Sequence, residues 1–179
     1  RLLSERRDLE WRLSLGKGRG KVTLAKLLKE DMREEAVMRC AQCCPDEFRV
    51  DEKGERHHQE GVKHEMRKIV SAEEDQRLMM IRVSPFYHDG QQVKRSQRKL
   101  AGLDPDSVEL GGAVWKVVAG VKHEGRTAEA GHYVAYSRTG SRWRLISDTM
   151  VEVVDSLPVG ELYYMLLERI GREIVVEIA

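Results

Sequence analysis

The stretch Gly120–Asp148, GVKHEGRTAEAGHYVAYSRTGSRWRLISD, decides how this chain is read. Two alternating, β-prone runs, His132–Ser137 and Arg142–Ser147, flank Thr139-Gly140, and that pattern predicts a β-hairpin. A two- or four-residue loop centred on Thr139-Gly140 pairs Tyr136 with Trp143, Val134 with Leu145 and His132 with Ser147. One face of the ribbon then runs from aromatic to aliphatic and ends in an imidazole beside a hydroxyl, within cross-strand reach. A loop shifted by one would set His132 opposite Asp148 and split the aromatic pair between the two faces. The first register keeps the apolar residues together and is the one expected. An imidazole oriented by a polar neighbour is the base-and-orienter half of a nucleophilic triad. A strand histidine bonded to its neighbour is the plainer alternative, and position alone leaves both open.

The rest of the composition bounds the setting. At 179 residues, with 41% hydrophobic and 34% charged side chains, the chain has the make-up of about one globular domain with a heavily charged surface. A formal net charge of +1 gives no overall field for nucleic acid or an anionic membrane. No run approaches the ~18 apolar residues of a membrane span, and no secretory signal is visible. The first residue is Arg1 rather than Met, so the chain reads as a piece of something longer. Cys40, Cys43 and Cys44 crowd into one stretch. That is no disulfide framework, and it suits a reducing, intracellular compartment, cytoplasm or nucleus.

Along the chain, EWRLSL at 10–15 alternates as a strand. GKGRGK at 16–21 is a residue too short for a phosphate loop and has Val22 where a magnesium-binding hydroxyl belongs, so a basic connector is expected. Thr23 caps a helix predicted to run to about Met38, with Leu24, Leu27, Leu28 and Met32 on one stripe. Cys40-Ala-Gln-Cys43 has zinc-knuckle spacing. His58 and His64, or ligands from outside this chain, would complete a four-ligand set, although Gly61 argues against a helical version and His57 reaches equally well; surface histidines with no metal are the alternative. Leu78–Val83 is a buried-strand run stopped by Pro85. QQVKRSQRK at 91–99 lacks interleaved aromatics for base stacking, so nucleic acid is not expected and a solvated loop is. Val108 and Leu110, Ala113–Glu124, Met150–Val154, Leu162–Ile170 and Ile174–Ile178 read as further strands.

GHYVAYSR followed by RWRLISD, with GVKHEG upstream, resembles the histidine box of the ubiquitin-specific proteases, a family of cysteine deubiquitinases. KVTLAKLLKEDMREEAVMRCAQC is similar to the family's helix and following Cys pair, LMMIRVSPF to a core strand (without the family's Arg before the Phe), and LYYMLLERI to the last core strand. The resemblance implies an α+β fold: a papain-like palm built on an antiparallel sheet over about 76–179, a partial fingers region over about 40–75, and one amphipathic helix. It implies His132 as general base and places Ser147, where the family usually has Asn or Asp, at the third triad position, with Asp148 matching the Asp that follows. Gly131, Tyr133 and His123 are the implied substrate-binding positions, with Gly131 leaving room for the Gly-Gly tail of ubiquitin. The implied reaction is thiol-dependent hydrolysis of the isopeptide bond to ubiquitin, with ubiquitin and ubiquitinated proteins as partners, no membrane, no cofactor for catalysis, and zinc only as a structural ion.

The family's nucleophile motif has no match between Arg1 and Ala179, so the resemblance covers the C-terminal half of a catalytic domain and implies that this piece alone is inactive. A non-catalytic ubiquitin-binding relative is the runner-up, suggested by Ser147, and a zinc- or nucleic-acid-binding module on Cys40 and Cys43 comes third.

Overall fold

Alternation in the β-prone runs builds one large sheet in this computed structural model, which describes residues 10–38, 48–58, 62–67 and 72–172. In chain order the elements are β1 (Glu10–Ser14), β2 (Arg19–Val22), α1 (Leu24–Asp31), β3 (Arg33–Met38), β4 (Phe48–Val50), β5 (Arg56–His58) and β6 (Val62–Arg67). They continue with β7 (Leu78–Ser84), β8 (Phe86–His88), β9 (Val93–Arg95), β10 (Gln97–Leu100), β11 (Val108–Leu110) and β12 (Ala113–Glu124). The last are β13 (His132–Thr139), β14 (Arg142–Ser147), β15 (Met150–Val154), a 3-10 turn at Val159–Glu161 and β16 (Leu162–Arg172). The chain divides into two units, 29–69 and the remainder.

The larger unit holds the eight-stranded sheet in the order β1-β7-β16-β12-β13-β14-β15, with β11 beside β12. Its pairs are antiparallel except β1 with β7, which run parallel from Glu10↔Met80 to Ser14↔Ser84. The alternation in β7 buries Met79, Ile81 and Val83; the adjacent β1 and β16 add Trp11, Leu13, Met165 and Leu167, and β12 beyond them adds Trp115 and Val117. Each such side chain withdrawn from water contributes about 1.5–3 kcal/mol before entropy is counted. Trp115, fully buried, satisfies its indole N–H by donating to the Leu110 carbonyl at 2.9 Å. This sheet-dominated architecture, with a single α-helix among the described residues, is the α+β class the sequence led us to expect.

The sequence and structure part company in three places. The helix starts as expected, with the Lys26 amide donating to Thr23 Oγ1 at 3.2 Å and Leu24, Leu27 and Leu28 buried. It stops at Asp31, however, and Arg33–Met38 forms strand β3 in the smaller unit, antiparallel to β6 from Arg33↔Arg67 to Met38↔Val62. Non-local pairing thus overrides the weak helical propensity of the acidic stretch. The basic connector at 16–21 and the basic run at 91–99 are not solvated loops either. Arg19–Val22 pairs parallel with Gln97–Leu100, and β8 pairs with β9 from Phe86↔Arg95 to His88↔Val93. The smaller unit also holds the two-stranded β4–β5 pair. Cys40, Cys43, Cys44 and the expected strand at 174–178 lie outside the described residues, while His58 and His64 fall on β5 and β6.

Candidate active site

The hairpin that the sequence singled out is present, slipped by two positions. Tyr136 faces Leu145 and Arg138 faces Trp143, with Thr139↔Arg142 closing a turn at Gly140-Ser141 rather than Thr139-Gly140. Gly140 takes φ +63° at the first loop position, which its missing Cβ allows. A slip of one would have turned every side chain over, whereas a slip of two keeps the faces. Val134, Tyr136 and Trp143 are accordingly all buried, and His132 and Ser147 remain on the face expected of them.

The ladder between β13 and β14 ends at Ala135↔Ile146, so His132 and Ser147 are not directly opposed. They meet on the diagonal, His132 Nε2 to Ser147 Oγ at 2.7 Å, at the sheet end where β13 starts and β14 finishes. Asp148 follows at φ +50°, a left-handed position that Asp tolerates, in the tight connection closed by Ser147↔Met150. Its Oδ2 lies 3.9 Å from His132 Nε2, with the Asp148 side chain 81% exposed and that of His132 44% exposed. Both polar neighbours therefore address Nε2. With Nε2–H donating to Ser147, the lone pair sits on Nδ1, which makes no hydrogen bond among the described residues. The arrangement can accept a proton at Nδ1 while the ring is held at Nε2.

The opposite face of the hairpin holds the remaining sequence-predicted positions. His123, directly across from Tyr133, is 1% exposed. Its ring packs edge-on to Phe86 at 5.4 Å and tilts against Tyr133 at 4.7 Å between centroids, and Tyr133 in turn stacks on Tyr163 at 6.4 Å. Burial, and then the nearby Arg95 guanidinium, push the His123 pKa down, which favours the neutral ring. Gly131, at the end of the 125–131 loop, lies against that ring: a Cβ there would overlap His123 Nε2 and come within 2.8 Å of the Glu124 carbonyl oxygen. His123 is thus a support beneath the loop, and Gly131 and Tyr133, both exposed, are the positions of this group open to a ligand.

Two features were missed in the sequence. Arg95, at the end of β9, donates from Nη1 to the Gly125 carbonyl at 2.7 Å and from Nη2 to the His123 carbonyl at 3.2 Å. Lys122 bridges Glu124 at 2.9 Å and Glu161 at 2.8 Å, and Lys99 also reaches Glu161 at 2.8 Å. The two lysines hold the Glu161 pKa down to about 2, and the carboxylates raise that of Lys122. A cavity of about 510 Å³ opens beside the loop, lined among others by Arg95, Lys122, His123, Gly125 and Arg126.

This geometry coincides with a family signature. The model of the ubiquitin carboxyl-terminal hydrolase family matches residues 42–167. The chain belongs to that family. As a ubiquitin carboxyl-terminal hydrolase family member it also has fold relatives among solved structures. A chain of the yeast SAGA DUB module superposes with a TM-score of 0.56 at 14% identity, over 91% of this chain and 35% of that one. The SAGA DUB module bound to monoubiquitin gives the same values, a TM-score of 0.56 at 14% identity over 91% and 35%. At this identity they speak for the fold, and the chain spans about a third of the length of the chains it matches. No curated protein matches the sequence. No helix among the described residues is long and apolar enough to cross a membrane.

Proposed function

We propose that this family member supplies the general-base half of a deubiquitinase that cleaves the isopeptide bond to ubiquitin through a cysteine thiolate. The observation that carries the reading is the 2.7 Å contact between His132 Nε2 and Ser147 Oγ, which leaves Nδ1 to work as the base. In this mechanism Nδ1 takes the thiol proton, the thiolate attacks the carbonyl carbon of the ubiquitin C-terminal glycine, and the imidazolium returns the proton to the leaving lysine amine. Water, activated by the same nitrogen, then hydrolyses the thioester. The family's nucleophile motif has no match in this sequence, so on this reading the thiol is supplied by another part of a longer protein. Gly131 and Tyr133 line the path of the ubiquitin tail, with His123 beneath them. An intracellular setting, cytoplasm or nucleus, suits a thiol enzyme.

The test is a ubiquitin bearing a C-terminal electrophile, applied to the full-length protein. A thiol adduct is the expected result, and its absence with ubiquitin still bound would favour a non-catalytic ubiquitin-binding relative, the reading that the neutral hydroxyl of Ser147 supports. Within the active reading, Ser147→Ala removes a short, directional hydrogen bond and should slow labelling by about 10-fold. Asp148→Asn removes only a longer, solvent-screened attraction and should slow it less. The reverse ranking would transfer the orienting role to Asp148.

Catalysis on this scheme needs no cofactor. The Cys40-x2-Cys43 spacing supports a structural zinc, with His58 and His64 as candidate further ligands. Metal analysis of the purified protein should find zinc that disappears when both cysteines are replaced by Ser; a zinc-free protein would remove it.

A further inference from the structure

We propose that Arg95 is a positioning residue for His132, acting through the backbone and the buried imidazole on either side of the 125–131 loop. The inference rests on the catalytic reading of His132 and extends it to a residue outside the hairpin. Arg95 is opposite Phe86 in its own strand pair, and its guanidinium lies over that ring at 5.3 Å. From there every hydrogen bond described for it goes to the start of the loop. Nη1 reaches the Gly125 carbonyl at 2.7 Å, Nη2 the His123 carbonyl at 3.2 Å, and Nη1 also His123 Nδ1 at 3.3 Å.

A guanidinium only donates, so the last contact makes Nδ1 of His123 the acceptor and puts its proton on Nε2. That ring edge is where Gly131 lies. One planar fork therefore fixes the first residue of the loop, the ring beneath the loop and, by contact with that ring, the last residue before His132. The loop has little else to hold it: its exposed stretch 126–130 shows one internal bond, from the Ala130 amide to Thr127 Oγ1 at 3.2 Å. Loosening the clamp frees the segment that delivers His132 to Ser147, and a displacement of about 1 Å at a proton-transfer site can cost on the order of 100-fold in rate.

The experiment uses the full-length protein, the ubiquitin electrophile and ubiquitin binding by calorimetry. Arg95→Ala should lower the labelling rate at saturating probe roughly 10- to 100-fold, with ubiquitin affinity held within about 2-fold. Arg95→Lys, which can reach one carbonyl but cannot span both, should recover part of the loss. Backbone amide exchange should quicken over 123–132 in Arg95→Ala and not over β16. An unchanged labelling rate, or a loss of rate matched by a loss of affinity, overturns the proposal. Should Arg95→Ala unfold, the Lys variant decides by the same two measurements. Should the wild-type protein form no adduct, the deubiquitinase reading fails, and amide exchange alone judges the clamp: faster exchange confined to 123–132 upholds it and unchanged exchange overturns it.

Discussion

Replacing His132 by Ala is expected to abolish ubiquitin release, by about 10⁴-fold or more, while leaving ubiquitin affinity and the fold in place. The size follows from the role: a general base that also activates the nucleophile acts as a unit with it, and removing either member of such a unit costs nearly as much as removing both. The selectivity follows from the location. His132 is 44% exposed on its side chain and touches the protein through Ser147 and Asp148, so its loss opens no cavity in the core. The hydrophobic face of the same strand, Val134 and Tyr136, is untouched. Turnover of a fluorogenic ubiquitin conjugate, run beside a ubiquitin titration and a thermal melt, separates the three quantities. Retained turnover would dismiss His132 as the base. Lost binding would instead make it a contact residue.

The placement of His132 next to Ser147 was legible in the sequence although the register was not. The sequence showed alternation and a glycine-containing turn, and both are local. Which residues the turn uses depends on the backbone, where Gly140 occupies the first loop position at φ +63°. Because the true register differs by an even number, the imidazole and hydroxyl still met, on a diagonal instead of directly across. The alternation in β1 and β7 likewise identified strands but not their parallel pairing, since partner and direction are decided by residues some 70 positions apart. The helix overran for the same reason: Arg33–Met38 has a local preference that pairing with Val62–Arg67 reverses. Arg95 is the instructive omission. In the sequence it is one cation in QQVKRSQRK, a run that looks solvated, and nothing nearby marks it. Its acceptors are the carbonyls of His123 and Gly125, which only the folded sheet brings within reach.

Gly131→Ala should be a strongly damaging single-methyl change in the site, and it tests the packing beneath the loop rather than the chemistry above it. Gly131 is exposed on its outer side, so a surface reading would count the substitution as harmless. Its Cα, however, faces the His123 ring, and a Cβ would overlap Nε2 of that ring. The ring has nowhere to go: it is 1% exposed, wedged by Phe86 at 5.4 Å and Tyr133 at 4.7 Å, and tied to Arg95 at Nδ1. The backbone must therefore yield, and the residue that moves with it is His132, whose 2.7 Å contact with Ser147 has little tolerance. On that basis labelling by the ubiquitin electrophile should fall by roughly 100-fold, with a stability loss of about 1–3 kcal/mol typical of an overpacked contact. Replacing the ring by Ala at 123 removes the nearest obstacle and leaves the Glu124 carbonyl contact at 2.8 Å. The double variant His123→Ala/Gly131→Ala should consequently label faster than the product of the two single effects, because the two sites are in contact and cannot add independently. Strict additivity would mean that the clash is relieved elsewhere and that His123 does not brace the loop.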